Sequence, residues 1–110
     1  MPGETFVSPV PDVDEFVHEL ARLRLLALLA VLKQADFVYL LRHSGMSRGN
    51  LSVQMSKLSD AGLVSIEKSF VANRPRTVYA LTRQGRQSLG AYKAAMAALL
   101  DALPGLGGKS

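Results

Sequence analysis

The sequence predicts a mainly helical α+β fold, in which three helices precede a small β-hairpin and a fourth helix follows it. Three observations carry this prediction. Apolar residues recur at helical spacing in four stretches. A segment rich in strand-forming residues lies between the third and the last of them. Glycine, proline or N-capping residues stand where one element should end and the next begin. A chain of 110 residues with 48% hydrophobic content is sufficient for one domain with a single core.

The first predicted helix runs from Asp12 or Asp14 to about Lys33. Asp14 is the expected N-cap, and acidic residues crowd the first turn, where the helix dipole favours them. One apolar stripe at helical spacing consists of Phe16, Leu20, Leu23, Ala27 and Ala30. Further leucines and valines occupy the other faces, and a helix that is apolar around most of its circumference needs a second burial surface. Another copy of the chain is the simplest supplier of that surface.

The next two helices are predicted to form a pair joined by a tight turn. The first of the pair extends from Phe37 or Val38 to Ser44 and ends at Gly45. The second begins after Ser47, its expected N-cap, and ends at Gly62. Its core face is predicted from the spacing i, i+4 and i+7 of Leu51, Met55 and Leu58.

A β-hairpin is predicted after this pair. Residues 63–70 alternate partly between apolar and polar, and residues 77–81 are rich in strand formers. The connecting residues 71–76 are predicted to form a loop, because Asn73 and Pro75 favour turns.

The last predicted helix begins after the N-cap Thr82 and runs from Arg83 to about Leu103. A heptad-like seam along it consists of Leu89, Tyr92, Met96, Leu99 and Leu103. The seam either packs onto its own domain or pairs with a second copy of the chain. The surplus apolar surface of the first helix favours the second interpretation, so we expect a homodimer in which Phe16, Leu20 and Leu23 join the seam as contact residues.

Positive charge is concentrated in the second half of the chain. Residues 42–93 carry nine Lys or Arg and two Asp or Glu, a net charge of +7, whereas residues 1–41 carry a net charge of −3. A basic segment of this kind favours a polyanionic partner.

The outward face of the third predicted helix suits the DNA major groove. Its residues are small or polar, and Asn, Ser and Lys can bond base edges or phosphates while a valine can touch a thymine methyl group. The predicted DNA-binding residues are Ser47, Arg48, Gly49, Asn50, Ser52, Val53, Ser56 and Lys57. Taken alone, this face is explained slightly better as an ordinary solvated surface.

The hairpin connection adds a second element suited to DNA. Asn73, Arg74 and Arg76 lie in it, and arginines on a narrow loop fit along a minor groove or the adjacent phosphates. Further phosphate contacts are expected from Arg42, Arg48, Arg83 and Arg86.

Five motifs, in order along the chain, resemble a known family. They are GMSRGNLS at residues 45–52, KLSDAGLV at 57–64, KSF at 68–70, RPRT at 74–77 and LTRQGR at 81–86. Together they resemble the winged helix-turn-helix DNA-binding regulators of the MarR and ArsR type, in particular the compact single-domain group. The resemblance implies that residues 47–61 are the recognition helix, that residues 72–76 are the wing, and that the first and last helices make the dimer contacts.

Several function classes are disfavoured by the sequence. There are no cysteines and only two histidines, His18 and His43, far apart in the chain, so we expect no metal site and no cofactor. No phosphate-binding glycine loop or nucleophile motif indicates an enzyme. RNA is disfavoured because the A-form major groove is too narrow for a helix. A module for protein contacts, with an incidental basic face, remains the alternative to DNA binding.

The remaining expectations concern organisation and location. Residues 1–12 and 104–110 are predicted to be flexible, flanking a domain at 13–103 with its terminal dimerisation helices. The longest apolar stretch is too short to span a membrane and the first residues lack the pattern of a signal peptide, so a cytoplasmic protein is expected. No residue set specifies a small-molecule effector.

Overall fold

The computed structural model describes residues 8–106. Its elements are α1 Glu15–His18, α2 Leu20–Leu32, β1 Gln34–Asp36, α3 Phe37–Ser44, α4 Arg48–Asp60, β2 Val64–Val71, β3 Arg74–Leu81 and α5 Arg83–Asp101. The three strands form one antiparallel sheet in the order β1-β3-β2. The predicted fold class and order of elements are therefore confirmed. Parts of the two predicted flexible segments, residues 1–7 and 107–110, lie outside the described residues.

The first predicted helix is divided in two at Glu19, so the prediction of one continuous helix was wrong. Its N-cap is confirmed, because Asp14 Oδ1 accepts hydrogen bonds from the backbone N–H groups of Phe16 and Val17 at 2.9 and 3.2 Å. Glu19 then leaves helical geometry, with φ −59° and ψ 125°, and its Oε1 accepts from the backbone N–H of Arg22 at 3.1 Å. Glu19 thus acts as the N-cap of a second helix. Glutamate is not among the residue types preferred at an N-cap, so the sequence did not indicate this role.

Strand β1 was missed by the sequence analysis. It consists of three residues that pair with β3 in the register Gln34↔Ala80 to Asp36↔Val78. Lys33, with φ 73°, ends α2 and turns the chain into the strand. A strand of this length shows no measurable alternation, and its stability comes from pairing with residues more than 40 positions away.

The hairpin strands are longer than predicted, and the loop between them is shorter. Pairing is continuous from Val64↔Leu81 to Val71↔Arg74, which leaves only Ala72 and Asn73 as the turn. Both have positive φ, 52° and 63°, which is typical of the type I′ turn that matches the twist of a hairpin. The predicted loop over residues 71–76 was therefore wrong in extent.

Pro75 lies inside β3 rather than in the turn. It stands opposite Phe70, and β1 pairs only with residues 78–80 of the same strand. One edge of β3 is consequently unpaired at residue 75, and this is where a strand tolerates proline.

The turn yields a testable prediction about stability. Left-handed backbone costs an alanine about 1 kcal/mol, whereas asparagine tolerates it better. The substitution Ala72→Asn is expected to raise the free energy of unfolding in urea by about 0.5–1 kcal/mol. Ala72→Val is the control and should lower it, because a β-branched side chain is least compatible with positive φ. Equal stability of the two variants would contradict the turn geometry.

The core lies between α2, α3, α4, α5 and the inner face of the sheet. Its fully buried members include Leu25, Leu26, Leu29, Leu40 and Leu51. Thr82 joins α5 to this core: its Oγ1 accepts from the backbone N–H of Gly85 at 2.9 Å and donates to the carbonyl of Gly62 at 2.6 Å. The predicted N-cap of the last helix is confirmed, and the helix ends at Asp101, two residues before the predicted Leu103.

Candidate nucleic-acid interface

Helix α4 presents a small and polar face to solvent. The Oγ of Ser47 accepts a hydrogen bond from the backbone N–H of Asn50 at 3.1 Å and so caps the helix. The predicted core face of α4 is buried at Leu51, Met55 and Leu58. All predicted binding residues of this helix are exposed, namely Ser47, Arg48, Gly49, Asn50, Ser52, Val53, Ser56 and Lys57. Since these side chains are exposed, the face is available to a partner.

Gln54 connects this face to the interior and was not among the predicted site residues. Only 9% of it is exposed. Arg22 Nη1 donates to Gln54 Oε1 at 3.1 Å, and Gln54 Nε2 donates to Asn50 Oδ1 at 3.3 Å. The only feature of the sequence that could have indicated this role is that Gln54 directly precedes Met55, a predicted core residue. Asn50 is thereby held by a hydrogen-bond chain that begins in α2.

Arg22 is itself held from several sides. Its Nε donates to the carbonyl oxygen of Phe16 at 2.8 Å, and its guanidinium lies 4.3 Å from the centre of the Phe16 ring. The carboxylate of Glu19 is 3.9 Å from Nη1. With 13% of its side chain exposed, Arg22 is a largely enclosed cation whose orientation is set by these contacts.

The outer half of the β2–β3 hairpin is exposed and basic. Every residue from 65 to 76 is exposed, and residues 68–76 contain three bases and no acid. Asn73 lies in the turn and Arg74 directly follows it, so both of these predicted residues stand at the tip. Phe70, which is 75% exposed, adds an apolar group near the tip that the sequence analysis did not select.

Arg76 occupies a different position from the other two predicted hairpin residues. Its Nε lies 3.5 Å from Asp36 Oδ2, and 46% of its side chain is exposed. Asp36 also caps α3, since its Oδ1 accepts from the backbone N–H of Tyr39 at 2.8 Å. The expectation that both arginines project from one loop was wrong, because both belong to β3. Only Arg74 adjoins the turn, whereas Arg76 forms an ion pair with Asp36 at the start of α3.

Two grooves join α4 to the hairpin. The larger, of about 530 Å³, has Ser52 and Ser56 on its helix side and Lys68 and Thr77 on its strand side. At its inner end burial raises the pKa of the Tyr79 hydroxyl, so this group stays neutral at physiological pH.

The smaller groove, of about 230 Å³, brings the first residue of α4 next to the first half of β3. Arg48 and Arg76 both line it. The Arg48 guanidinium lies 5.3 Å from the centre of the Phe37 ring, within the range of a cation–π contact. The basic groups of α4 and the hairpin therefore belong to one continuous surface. Three further predicted phosphate contacts, Arg42, Arg83 and Arg86, are exposed.

The residues predicted for dimerisation fall into three groups. Tyr92 is buried and its hydroxyl lies 2.8 Å from His18 Nδ1, while Phe16 packs beneath Arg22, so both are used within the chain. Leu20 and Leu103 are 59% and 49% exposed. The others are half-buried, namely Leu23, Leu89, Met96 and Leu99.

An apolar groove of about 370 Å³ runs between α2 and α5. Its lining includes Leu23, Leu89 and Met96 from the predicted set. It also includes Val31, which is 81% exposed and was missed because it lies off the predicted stripe. The two terminal helices therefore share an uncovered apolar face.

The two histidines have structural neighbours. His18 contacts Tyr92, as described above, and His43 stacks on Tyr39 with ring centres 4.2 Å apart. Within residues 8–106 no group of three or more metal-ligating side chains comes together. Nor does this part of the chain contain a helix that is long and apolar enough to cross a membrane.

A helix pair with an exposed second helix, followed by a basic hairpin, defines a winged helix DNA-binding domain. Comparison with known proteins agrees with this class. The sequence model of the winged helix DNA-binding domain family matches residues 21–100, and the chain belongs to that family.

Individual relatives point the same way. An uncharacterized protein of Methanocaldococcus jannaschii is 32% identical over 75 residues, which are 68% of this chain and 82% of that protein. The structure of a transcriptional regulator homologue from Pyrococcus horikoshii superposes with a TM-score of 0.75 at 26% identity, over 80% of this chain and 87% of that one. A MarR-like regulator of Thermotoga maritima shares the fold, with a TM-score of 0.61 at 19% identity over 84% and 66% of the two chains.

These findings confirm the resemblance drawn from the motifs. The chain is a DNA-binding transcriptional regulator with a winged helix-turn-helix fold. The family is one of DNA-binding regulators, which points away from an enzymatic activity.

Proposed function

We propose that the chain binds double-stranded DNA as a homodimer, with α4 in the major groove and the β2–β3 hairpin on the minor groove or the flanking phosphates. The observation that carries the proposal is the continuity of the exposed face of α4 with the basic hairpin. Two grooves join them: the smaller is lined by Arg48 of α4 and Arg76 of β3, and the larger by Ser52 and Ser56 of α4 and Lys68 of β2.

The face of α4 fits a major groove in size and chemistry. A helix can enter the groove only if its leading side chains are short, and those of Gly49, Ser52 and Ser56 are. Asn50 and Lys57 supply groups that bond base edges or phosphates. Val53, with 49% of its surface exposed, provides an apolar contact suited to a thymine methyl group.

The hairpin supplies the contact outside the major groove. Asn73 and Arg74 stand at its tip, where an arginine can enter a narrow minor groove or bind the phosphates at its edge. Arg48 and Arg76 lie between the tip and α4, where the phosphate backbone would cross from one groove to the other. In this arrangement one protomer covers one half-site.

The location of the interface can be tested by NMR. Titration of the labelled chain with a random-sequence duplex is expected to shift the backbone amide signals of residues 47–57 and 72–76. Those of the outer part of α5, from about residue 94 onward, should move least. Shifts confined to α2 and α5 would contradict the proposed interface, and the absence of shifts would favour a module for protein contacts.

Asp36 is expected to lower the affinity of the chain for DNA, because its carboxylate competes with phosphate for Arg76. Asn is as good an N-cap as Asp, so Asp36→Asn should keep the cap of α3 while removing the charge. We expect its affinity for duplex DNA to rise about two- to fivefold, the size of one exposed ion pair. Asp36→Ala is the matched variant and should in addition lose about 1 kcal/mol of stability with the cap. Unchanged or weaker DNA binding by Asp36→Asn would show that Arg76 does not contact phosphate.

The homodimer is proposed to form through the apolar face that α2 and α5 share. A two-fold interface uses the same patch on both subunits, and this face is an exposed apolar surface away from α4 and the hairpin. Two recognition helices would then meet DNA half-sites about one helical turn, roughly 34 Å, apart.

Sedimentation measures this part of the proposal. The unmodified chain is expected to sediment at twice the chain mass, and Val31→Glu, which introduces a charge at a position 81% exposed in the isolated chain, should shift it to the monomer. Val38→Glu, at a position 50% exposed on α3, is the control and should leave the mass unchanged. A monomeric unmodified chain, or a dimer insensitive to Val31→Glu, would contradict this interface.

A further inference from the structure

The hydrogen-bond chain from Arg22 through Gln54 to Asn50 has a fixed direction. An arginine carries only donors, so the atom of Gln54 that faces Arg22 Nη1 at 3.1 Å must be the carbonyl oxygen Oε1. The amide group Nε2 then faces Asn50 at 3.3 Å and can only donate to it. The atom of Asn50 that receives this bond must therefore be Oδ1.

The orientation of Asn50 follows from this chain. Its Oδ1 is engaged by Gln54, which is only 9% exposed and has no freedom to turn over without breaking its bond to Arg22. The other terminal atom of Asn50, Nδ2, is directed away from Gln54, on a residue that is exposed on the outward side of α4. Asn50 consequently offers DNA two donor hydrogens.

We infer that Asn50 reads a base edge as a donor only, under the control of Arg22 and Gln54 as positioning residues. The inference rests on the proposed function, in which α4 enters the major groove. An asparagine free to use both terminal atoms pairs with adenine, accepting from N6 and donating to N7. In this chain the donor Nδ2 would instead seek a base acceptor, which is N7 or O6 of guanine, N7 of adenine or O4 of thymine.

The inference extends to a reversal of base preference by one buried substitution. Gln54→Glu keeps an acceptor toward Arg22, and the new carboxylate forms an ion pair with that arginine. A carboxylate has no proton to donate to Asn50, and its oxygen repels Oδ1. The amide of Asn50 is then expected to turn over, so that Nδ2 donates inward and Oδ1 faces DNA. The preferred base at this position should change to one that presents a donor, through N4 of cytosine or N6 of adenine.

Selection from a library of randomised duplexes tests the inference. The unmodified chain, Asn50→Ala and Gln54→Glu would each be used to select bound sequences, after thermal melting has shown that each variant is folded. We expect one base position to lose its preference with Asn50→Ala and to change from an acceptor-presenting to a donor-presenting base with Gln54→Glu. The same base preference in all three selections would overturn the inference. So would an Asn50→Ala variant that binds every duplex equally weakly, because that pattern indicates a phosphate contact.

Base analogues provide a readout that needs no protein variant with an altered interior. If the base selected by the unmodified chain is adenine, its 7-deaza analogue lacks the N7 acceptor and should weaken binding about fivefold, the cost of one hydrogen bond. If it is guanine, either the 7-deaza analogue or 2-aminopurine, which lacks O6, should do so. If the selected base is thymine, the 4-thio analogue changes the O4 acceptor in the major groove, whereas the 2-thio analogue changes O2 in the minor groove. Only the 4-thio analogue should weaken binding. If the selected base is adenine, its replacement by purine 2′-deoxyriboside removes only the N6 amino group. This replacement should leave the affinity unchanged. Loss of affinity on removal of N6 would overturn the inference.

Failure of the proposed function gives a different result. If the unmodified chain does not bind random duplex DNA at any salt concentration, the placement of α4 in the major groove fails, and the inference fails with it. If the chain binds random duplex DNA but selects no sequence, DNA binding stands and only the inference is overturned.

Discussion

Gly85→Ala is expected to cause the largest loss of stability among the glycine-to-alanine substitutions within residues 8–106. A Cβ at residue 85 would collide with the carbonyl oxygen of Leu63 and lie 3.0 Å from its carbonyl carbon. The first turn of α5 cannot move away easily, because Thr82 is bonded through its backbone N–H to the same Leu63 oxygen at 3.0 Å and through its hydroxyl to Gly62 at 2.6 Å. We expect a loss of about 3 kcal/mol, at the upper end of overpacking effects.

Gly90 in the same helix offers a matched control. A Cβ at that position would meet no heavy atom within 4 Å. Alanine is favoured over glycine inside a helix by about 1 kcal/mol, so Gly90→Ala should stabilise the domain by that amount. Urea denaturation followed by circular dichroism compares the two variants. If Gly85→Ala were as stable as Gly90→Ala, the close packing of α5 against Leu63 would be wrong.

The double substitution Arg48→Glu and Arg74→Glu is expected to cause the largest loss of DNA affinity. One arginine begins α4 and the other stands at the tip of the hairpin, so the pair spans the proposed interface. Each substitution removes an attraction to phosphate and adds a repulsion. We expect affinity for a random duplex to fall by about 100-fold or more, and the slope of log affinity against log salt to flatten by about 2. Stability should change little, since both residues are exposed.

A charge-matched control separates this effect from net charge. Arg24→Glu and Lys33→Glu make the same change in total charge. Arg24 is exposed on α2 and does not line the groove between α2 and α5, and Lys33 precedes Gln34, which pairs with Ala80 at the opposite end of β3 from Arg74. We expect this variant to lose less than about threefold in affinity, through the long-range field alone. Equal losses by the two double variants would show that the interface is not localised to α4 and the hairpin.

The features that the sequence predicted well are those with a local cause. The caps at Asp14, Ser47 and Thr82 depend on a side chain and a backbone N–H two or three residues away, and all three are present. The helix ends at Gly45 and Gly62 depend on positive φ, which both residues adopt. The buried and exposed faces of α4 follow from the helical repeat alone.

The features that the sequence did not reveal depend on distant partners. Strand β1 exists through pairing with β3, and Arg76 is anchored by Asp36, 40 positions earlier in the chain. In the sequence Gln54 is only a polar residue next to a predicted core position. It can be buried there because Arg22 of α2 donates a hydrogen bond to it. The break at Glu19 escaped prediction because leucines continue at helical spacing on its far side.

The direction of the amide chain shows what structure adds to the candidate site. The sequence identified Asn50 as a DNA-binding candidate from its type and its place on the outward face. Which of its two terminal atoms faces DNA depends on Arg22, 28 positions earlier and more than a helix away. In the proposed complex that choice would decide between a base that accepts and a base that donates, so we infer that a residue away from DNA contributes to the specificity of the site.

Fluorescence anisotropy of a labelled random duplex, measured over a series of salt concentrations, tests the central claim most directly. If α4 and the hairpin bind duplex DNA, log affinity should fall linearly with log salt, with a slope of about 0.9 for each phosphate neutralised. The basic groups at the interface predict several such contacts, and an A-form RNA duplex of the same length should compete poorly. Absence of binding at low salt, or an affinity that does not change with salt, would contradict the account.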